Sequence, residues 1–353
     1  MVQKRMMTHL LRDILGQPAA FRAALHYQRE NRFAEFERAA ALLHAADHLL
    51  IVAIGASFNA GLALAHSLNR HRRLATLIDA SEFDLIRAIP AHAVVIFLTR
   101  SGRSIELVRA VERCAREGIY TLAFTNDPDS PVARGVKHHI SLRVPFDHAV
   151  SIATYTAIVL FAALFANHVA DPAAMPQLLV ELERAAAETE RVLPEWQALL
   201  RAVGPDFLTR FTYFLARAES LASAHAGMLL WQEVIKIPAA ALSTGAFRHG
   251  PQEVLRAPMN IFLWLSPEVN FNHDVQLARD LVRVGANVTV LSPQKVDLPG
   301  AAVWLTPPVP ADFAAAFNIV PVQLWAEHLA GQAGVDCDRF IHCSYVVEKD
   351  GGL

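Results

Sequence analysis

The spacing of apolar residues changes period several times along this chain, and those changes divide it. From Ile14 to Ala46, in ILGQPAAFRAALHYQ and FAEFERAAALLHAA, apolar residues recur at i, i+3 and i+4, the period of helices with one buried face. Pro18 is expected to open a helix after a break, since proline suits a first turn. At His48 the pattern becomes a continuous apolar run, HLLIVAIG, which predicts a buried strand ending at Gly55, and ASFNAGLALAHSLNRHR returns to helical period. LATLIDASEF predicts a second strand. AVVIFLT predicts a third, running through RSGRS into the helix IELVRAVERCAREG, with Gly118 as its stop. IYTLAFTND and HHISLRV predict two more strands. SIATYTAIVLFAALFA, from Ser151 to Ala166, is apolar almost throughout. It is shorter than the ~20 residues of a spanning helix, and Thr154 and Thr156 interrupt it, so a buried helix is expected rather than a membrane span.

A long helical stretch, MPQLLVELERAAAETERVLPEWQALLRAV, leads to a second cycle. TYFLARAE reads as a strand, SLASAHAGMLLWQEVIK as a helix, PMNIFLWLS as a strand, NHDVQLARDLVRVG as a helix and ANVTVLSP as a strand. Ile96-Phe97-Leu98 recurs as Ile261-Phe262-Leu263, and the glycine closing the next helix recurs as Gly118 and Gly285. Strands alternating with helices predict the α/β class, with parallel sheets covered on both faces. The recurrence predicts two α/β domains of one kind, repeating after about 165 residues. The expected organisation is a helical packing arm over 1–46, a first domain over 47–175, a helical linker over 176–200 and a second domain over 201–348.

Composition narrows the class. The chain is 53% hydrophobic and 19% charged, enough apolar material for sizeable cores. A net charge of -2 without a basic stripe gives no reason to expect nucleic acid. Cys114, Cys337 and Cys343 have no paired spacing, which suits a reducing cytoplasm. The start, MVQKRMMTHLLRDILG, carries charges through its apolar positions, so no signal-peptide core is expected. The histidines at 138, 139, 148, 249, 273 and 342 lack metal-ligand spacing.

Two stretches carry candidate chemistry. Thr99-Arg100-Ser101-Gly102-Arg103-Ser104 lies between a strand and a helix and brings together three hydroxyls, a glycine and two arginines. Backbone N–H groups at a helix start attract anions, and arginine matches phosphate geometry, so this turn is a candidate phosphate site. A simple helix cap would need only one of the hydroxyls. The matching turn of the second half, SPEVNFNHD, lacks the glycine and carries acids, so the anion site is expected in the first half alone. The glycine-poor turn Gly55 to Gly61 makes Ser57 either a sugar or phosphate contact or a helix cap. The second stretch, EVIKIPAAALSTGAFRHGP, holds Glu233 and His249, a carboxylate and an imidazole of the kind that moves protons on a small substrate.

These residues together resemble the tandem sugar-isomerase (SIS) domain proteins, in particular the isomerase half of glucosamine-6-phosphate synthase and its stand-alone relatives. The marks are IGASFNAG, ASEF at 80–83, TRSGRS for the family's SQSGET, and SIATYTA for its ASTKAFTA, and then QEVIKI with RHGP and VPVQLWAEH near 320; ILGQPAAF matches the usual start of stand-alone members. The resemblance runs from Ile51 to Glu348. It implies two tandem SIS domains, each a three-layer αβα unit, and a hexose 6-phosphate held by Thr99, Arg100, Ser101 and Ser104. It implies sugar contacts from Ser57 and Ser151, proton transfer between C1 and C2 by Glu233, and ring opening by His249 entering from a neighbouring subunit. A homodimer with a shared active site follows from that last point. No metal or organic cofactor is implied.

The departures from the family matter as much. Ala226 and Leu230 stand where the synthase has a glutamate and a lysine before the catalytic carboxylate. Tyr345 aligns with the synthase lysine that reacts with the sugar carbonyl, which leaves Tyr345 as a substrate-side residue of altered kind, with Cys343 and His342 nearby. No glutaminase domain is expected, so glutamine-dependent glucosamine 6-phosphate synthesis is not. The resemblance favours a phosphosugar aldose/ketose isomerase, or a deglycase of a 6-phosphorylated fructosamine-type adduct. Amino-sugar-phosphate deamination or phosphosugar sensing without catalysis are the alternatives.

Overall fold

The computed structural model describes residues 7–31, 33–268 and 270–349; the first six residues of the expected helical arm lie outside this range. Helices α1 (His9–Glu30) and α2 (Ala34–Ala45) come first. The first sheet follows, with β1 (His48–Ala53), α3 (Ala56–Arg70), β2 (Ala75–Asp79), β3 (Ala93–Leu98), α4 (Ile105–Arg116), β4 (Tyr120–Thr125), α5 (Pro131–Gly135) and β5 (His138–Ser141). The long helices α6 (Ala153–Ala170) and α7 (Met175–Leu200) lead to β6 (Thr212–Ala216) and α8 (Leu221–Leu230), and then to β7 (Ala239–Ser243), α9 (Thr244–Arg248), β8 (Asn260–Trp264), α10 (Phe271–Arg283), β9 (Asn287–Ser292) and β10 (Ala302–Leu305). Helices α11 (Ala314–Phe317) and α12 (Val320–Ala333) close the fold.

Both five-stranded sheets are wholly parallel, and both have one strand order, β2-β1-β3-β4-β5 and, read from the other edge, β7-β6-β8-β9-β10. The fold is therefore α/β with two sheets flanked by helices. Order reverses between β1 and β3, and again between β6 and β8, so each sheet has a crevice at the carboxyl edge of those strands.

The period-2 pleat sorts the strand residues into layers. Leu49, Ile51, Val94, Ile96 and Leu98 of the first sheet share one central core with α6, α7, α12 and with Phe214, Phe262 and Trp264 of the second. The alternate residues Leu50, Val52, Val95 and Phe97 pack under α4, and Tyr213, Leu215, Ile261 and Leu263 pack under α10. Each such side chain contributes roughly 1.5–3 kcal/mol on burial. Helix α6 is apolar and long enough to cross a membrane by length and composition, but 83% of it is buried against α3 and the rest of the central core.

Helices α4 and α10 stop by one device. Gly118 and Gly285 take φ +69° and +84°, and Ile119 N–H and Ala286 N–H reach back to the Cys114 and Leu281 carbonyls, a Schellman closure that needs a residue without a Cβ penalty.

Several expectations need correction. Pro18 does not open a helix; it lies inside α1. A proline there leaves the carbonyl four residues earlier without its N–H partner, and the Gln17 side chain supplies one instead, Nε2 donating to Ile14 O at 3.1 Å. The stretch of small residues after Lys236 forms β7 and α9, and AVWL forms β10, all edge or peripheral elements that had no strong pattern. ASEF is a 3-10 turn after β2 rather than part of the strand.

Candidate functional site

A cleft of about 240 Å3 opens at the carboxyl edge of β1 and β3, where the strand order reverses. Its wall includes Ser57, Thr99, Arg100, Ser101, Ser104, Ser151, Glu233 and Tyr345, with Cys343 among the tail residues. Eight of the nine expected site residues are thus brought together from five separate segments. The ninth, His249, is exposed at the C-terminal end of α9 and does not line the cleft.

The turn from Thr99 to Ser104 is shaped by its own hydroxyls. Thr99 Oγ1 accepts from Gly102 N–H at 3.1 Å, and Ser101 Oγ accepts from Arg103 N–H at 3.2 Å. Gly102 has φ +64°, and a Cβ there would lie 2.1 Å from Ser130 Oγ, so only glycine fits. Ser104 is the N-cap residue of α4, but its hydroxyl makes no capping bond. Thr99, Arg100, Ser101 and Ser104 all border the cleft. Ser57 sits inside the first turn of α3, whose N-cap is Gly55, so Ser57 is not the cap.

The two arginines of the turn part company. Arg103 turns outward to Asp127 at 2.7 Å. Arg100 stays in the cleft, where its guanidinium donates to the carbonyls of Ala149 and Tyr345. A guanidinium has five N–H donors, so two such bonds leave it able to bind an anion.

Glu233 lies on a π-helical turn, Trp231–Ile235, that follows α8. Such turns widen a helix locally and re-aim one side chain. The turn ends at Lys236 in the left-handed region, φ +66°. Lys236 Nζ donates to the Glu233 carbonyl and, at 3.1 Å, to the Arg339 carbonyl, and lies 5.4 Å from the Phe340 ring centre. Burial pushes the Glu233 carboxyl up to about 7; Arg100 and Lys236 pull the other way without cancelling it. A carboxylate poised near neutrality can both take and return a proton.

The segment after α12 covers the cleft. Its Val347 carbonyl accepts from the first amide of α4, Ile105 N–H, at 3.0 Å. Tyr345 is half-exposed and packs on Phe340; its carbonyl, not its hydroxyl, meets Arg100. In the second half the corresponding helix start carries a charge pair of its own, the fully buried Asp274 of α10 meeting Arg217 at 2.9 Å.

Sequence reasoning overlooked two residues. Lys236, which its αL turn ties to the tail, carries no signal of that role in the sequence. Gln17 is fully buried, accepts from Thr156 Oγ1 at 2.8 Å and donates to Gln323 Oε1 at 2.7 Å, joining α1, α6 and α12 behind the cleft. A glutamine beside a proline within an apolar helical period was the one available signal.

Residues 42–167 match the SIS domain. Over 96% of its length the chain is 27% identical to an isomerizing glutamine–fructose-6-phosphate aminotransferase of Thermosynechococcus vestitus, and it spans 59% of that relative. Among solved structures, the C-terminal domain of the glucosamine-fructose-6-phosphate aminotransferase of Francisella tularensis superposes with a TM-score of 0.84 at 19% identity, over 96% of this chain and 99% of that one. The tagatose-6-phosphate ketose/aldose isomerase of Escherichia coli superposes with a TM-score of 0.79, also at 19% identity, over 95% and 96%. At such identities the structural likeness speaks for the fold.

Proposed function

Since residues 42–167 of this chain belong to the SIS domain family, we propose that the protein processes a phosphosugar by moving a proton between C1 and C2 of a hexose 6-phosphate. The product is either the isomeric aldose or ketose phosphate or, for a 6-phosphorylated fructosamine-type adduct, the amine and sugar phosphate freed when water hydrolyses the C1 imine that the proton shift leaves. The observation that carries this reading is one cleft with the hydroxyls of the Thr99–Ser104 turn and Arg100 on one wall and Glu233, raised to about 7, on another.

In this reading the phosphate takes the first-turn N–H groups of α4 that follow Ile105, whose own N–H is held by the Val347 carbonyl, with the Ser101 and Ser104 hydroxyls and the remaining donors of Arg100. Ser57 and Ser151 hold sugar hydroxyls. The Glu233 carboxylate removes the proton from C2 of the open-chain aldose, the electron pair forms the C1–C2 double bond of an enediol, and the carbonyl oxygen takes up a proton. The Glu233 carboxyl then returns its proton to C1 while the C2 hydroxyl gives one up, leaving the ketose. His249, exposed on α9, opens the ring from the neighbouring copy of a homodimer. The apolar Ala226 and Leu230 put no charged side chain of α8 beside Glu233 and leave Arg100 and Lys236 as its charged neighbours, which suits enediol chemistry better than a Schiff-base route.

Proton exchange tests this directly. In D2O the protein should incorporate deuterium at C2 or C1 of a hexose 6-phosphate, and Glu233→Gln should abolish exchange while binding persists. Rates should rise with pH through about 7, as Glu233 loses its proton. Undiminished exchange in the variant would remove Glu233 from the role. Equal affinity for a hexose and its 6-phosphate would refute the phosphate site.

A further inference from the structure

Behind Glu233 the cleft continues into a small recess of about 10 Å3, the room one water needs. Ala56, Ser151 and Glu233 line both spaces. The recess is walled by Val150, Leu229, Leu230 and Ile319, and its polar groups come from Tyr155, Ser151 and Gln323. Tyr155 is 2% exposed and Gln323 1%. Tyr155 Oη and Ser151 Oγ are buried with no hydrogen-bond partner among the described residues.

A buried hydroxyl without a partner is costly, yet this chain carries one where the resembled pattern ASTKAFTA has phenylalanine. In the same place it has lost the two charged side chains that Ala226 and Leu230 replace. The gain of a hydroxyl and the loss of the ions meet at one point. Gln323 is pre-oriented there: Gln17 Nε2 donates to its Oε1, and Thr156 Oγ1 in turn fixes Gln17. That leaves the Gln323 Nε2 end as a donor toward the recess.

We propose that the recess is a built site for one structural water that accepts from Tyr155 and Gln323 and donates to Ser151 Oγ and to the Glu233 carboxylate. Four partners are a full set for a buried water. Tyr155 is then a positioning residue, acting on Glu233 through the water and taking the place of the missing ions. A donor aimed at the carboxylate favours its ionised form, against the burial that disfavours it. The other titratable groups facing Glu233 or its cleft are Arg100, Lys236, Glu106, Cys343 and Tyr345, and none of these is altered by a change at Tyr155.

The inference concerns the free protein and is tested without any sugar. Tyr155→Phe keeps the ring and removes only the hydroxyl. The Glu233 carboxyl is followed by 13C NMR across pH 4–9 in glutamate-labelled protein, its signal assigned by its loss in Glu233→Gln, and thermal midpoints are measured alongside. With the water in place, Tyr155→Phe should raise the Glu233 pKa by about 1, the worth of one hydrogen bond to a charged group, and lower the thermal midpoint. A raised midpoint would mean a dry recess from which an unsatisfied hydroxyl has been removed, and would overturn the proposal. An unmoved Glu233 titration would overturn it too, whatever the midpoint does. If Glu233 shifts as expected but no phosphosugar exchanges its proton, the water site stands and the catalytic reading fails.

Discussion

Replacing Glu233 by glutamine should make the protein more stable, and more so as pH rises. Burial holds the folded carboxyl at about 7 against an ordinary value of 4.5. Below 4.5 the group is protonated whether the chain is folded or not, and it contributes nothing. Between 4.5 and 7 the folded state keeps a proton that the unfolded state releases, so stability falls with rising pH; above 7 the full cost is expressed. Each pKa unit is worth about 1.4 kcal/mol, so the cost is under ~1 kcal/mol at pH 5 and about 3 kcal/mol at pH 8. Glutamine has nearly the same shape and no charge to desolvate. With an unfolding entropy of about 2.1 cal/mol/K per residue, a chain of 353 residues unfolding as one unit gains roughly 4 °C in midpoint at pH 8, and about 1 °C at pH 5. Scanning calorimetry or circular dichroism of both proteins at the two pH values reads the difference. A gap that does not widen with pH, or a variant less stable at pH 8, would refute the account of Glu233 as a carboxyl desolvated by its surroundings.

Three other perturbations probe the frame of the site. Gly102→Ala forces an alanine into the left-handed region and a Cβ to within 2.1 Å of Ser130 Oγ; it should cost about 2 kcal/mol or more and abolish stabilisation by hexose 6-phosphate in a thermal-shift assay. Gln17→Leu strips partners from Thr156, Gln323 and the Ile14 carbonyl at once, so urea denaturation should show a loss of about 2–5 kcal/mol. Asp274→Ala leaves the Arg217 guanidinium with no counter-charge, at a cost of about 3 kcal/mol in the same assay, and Asp274→Asn should recover part of it through hydrogen bonding.

Much of this molecule was legible in the linear pattern, for local reasons. Runs such as AVVIFLT and PMNIFLWLS admit little but a strand buried on both faces, and a glycine after a helical period marks a stop because only glycine takes positive φ cheaply. The turn from Thr99 to Ser104 stood out as a candidate phosphate site because its hydroxyls, glycine and arginines are contiguous. Elements without a local signature were missed. AAALS becomes β7 only because the edge of β6 offers it hydrogen-bond partners. Pro18 was misplaced because the rule that puts proline at helix starts does not foresee a glutamine side chain bonding the freed carbonyl.

The sequence by itself determined the class, the order of the central strands and the longer helices, and the composition of the candidate anion turn, since these depend on backbone preference and periodicity over a few residues. Only the tertiary structure decided what Glu233 can do. Its proton affinity and its recess are set by Ala56, Val150 to Tyr155, Ala226 to Leu230 and Ile319 to Gln323, segments far apart in the chain. Desolvation is a property of everything packed around a group, and no stretch of sequence contains it.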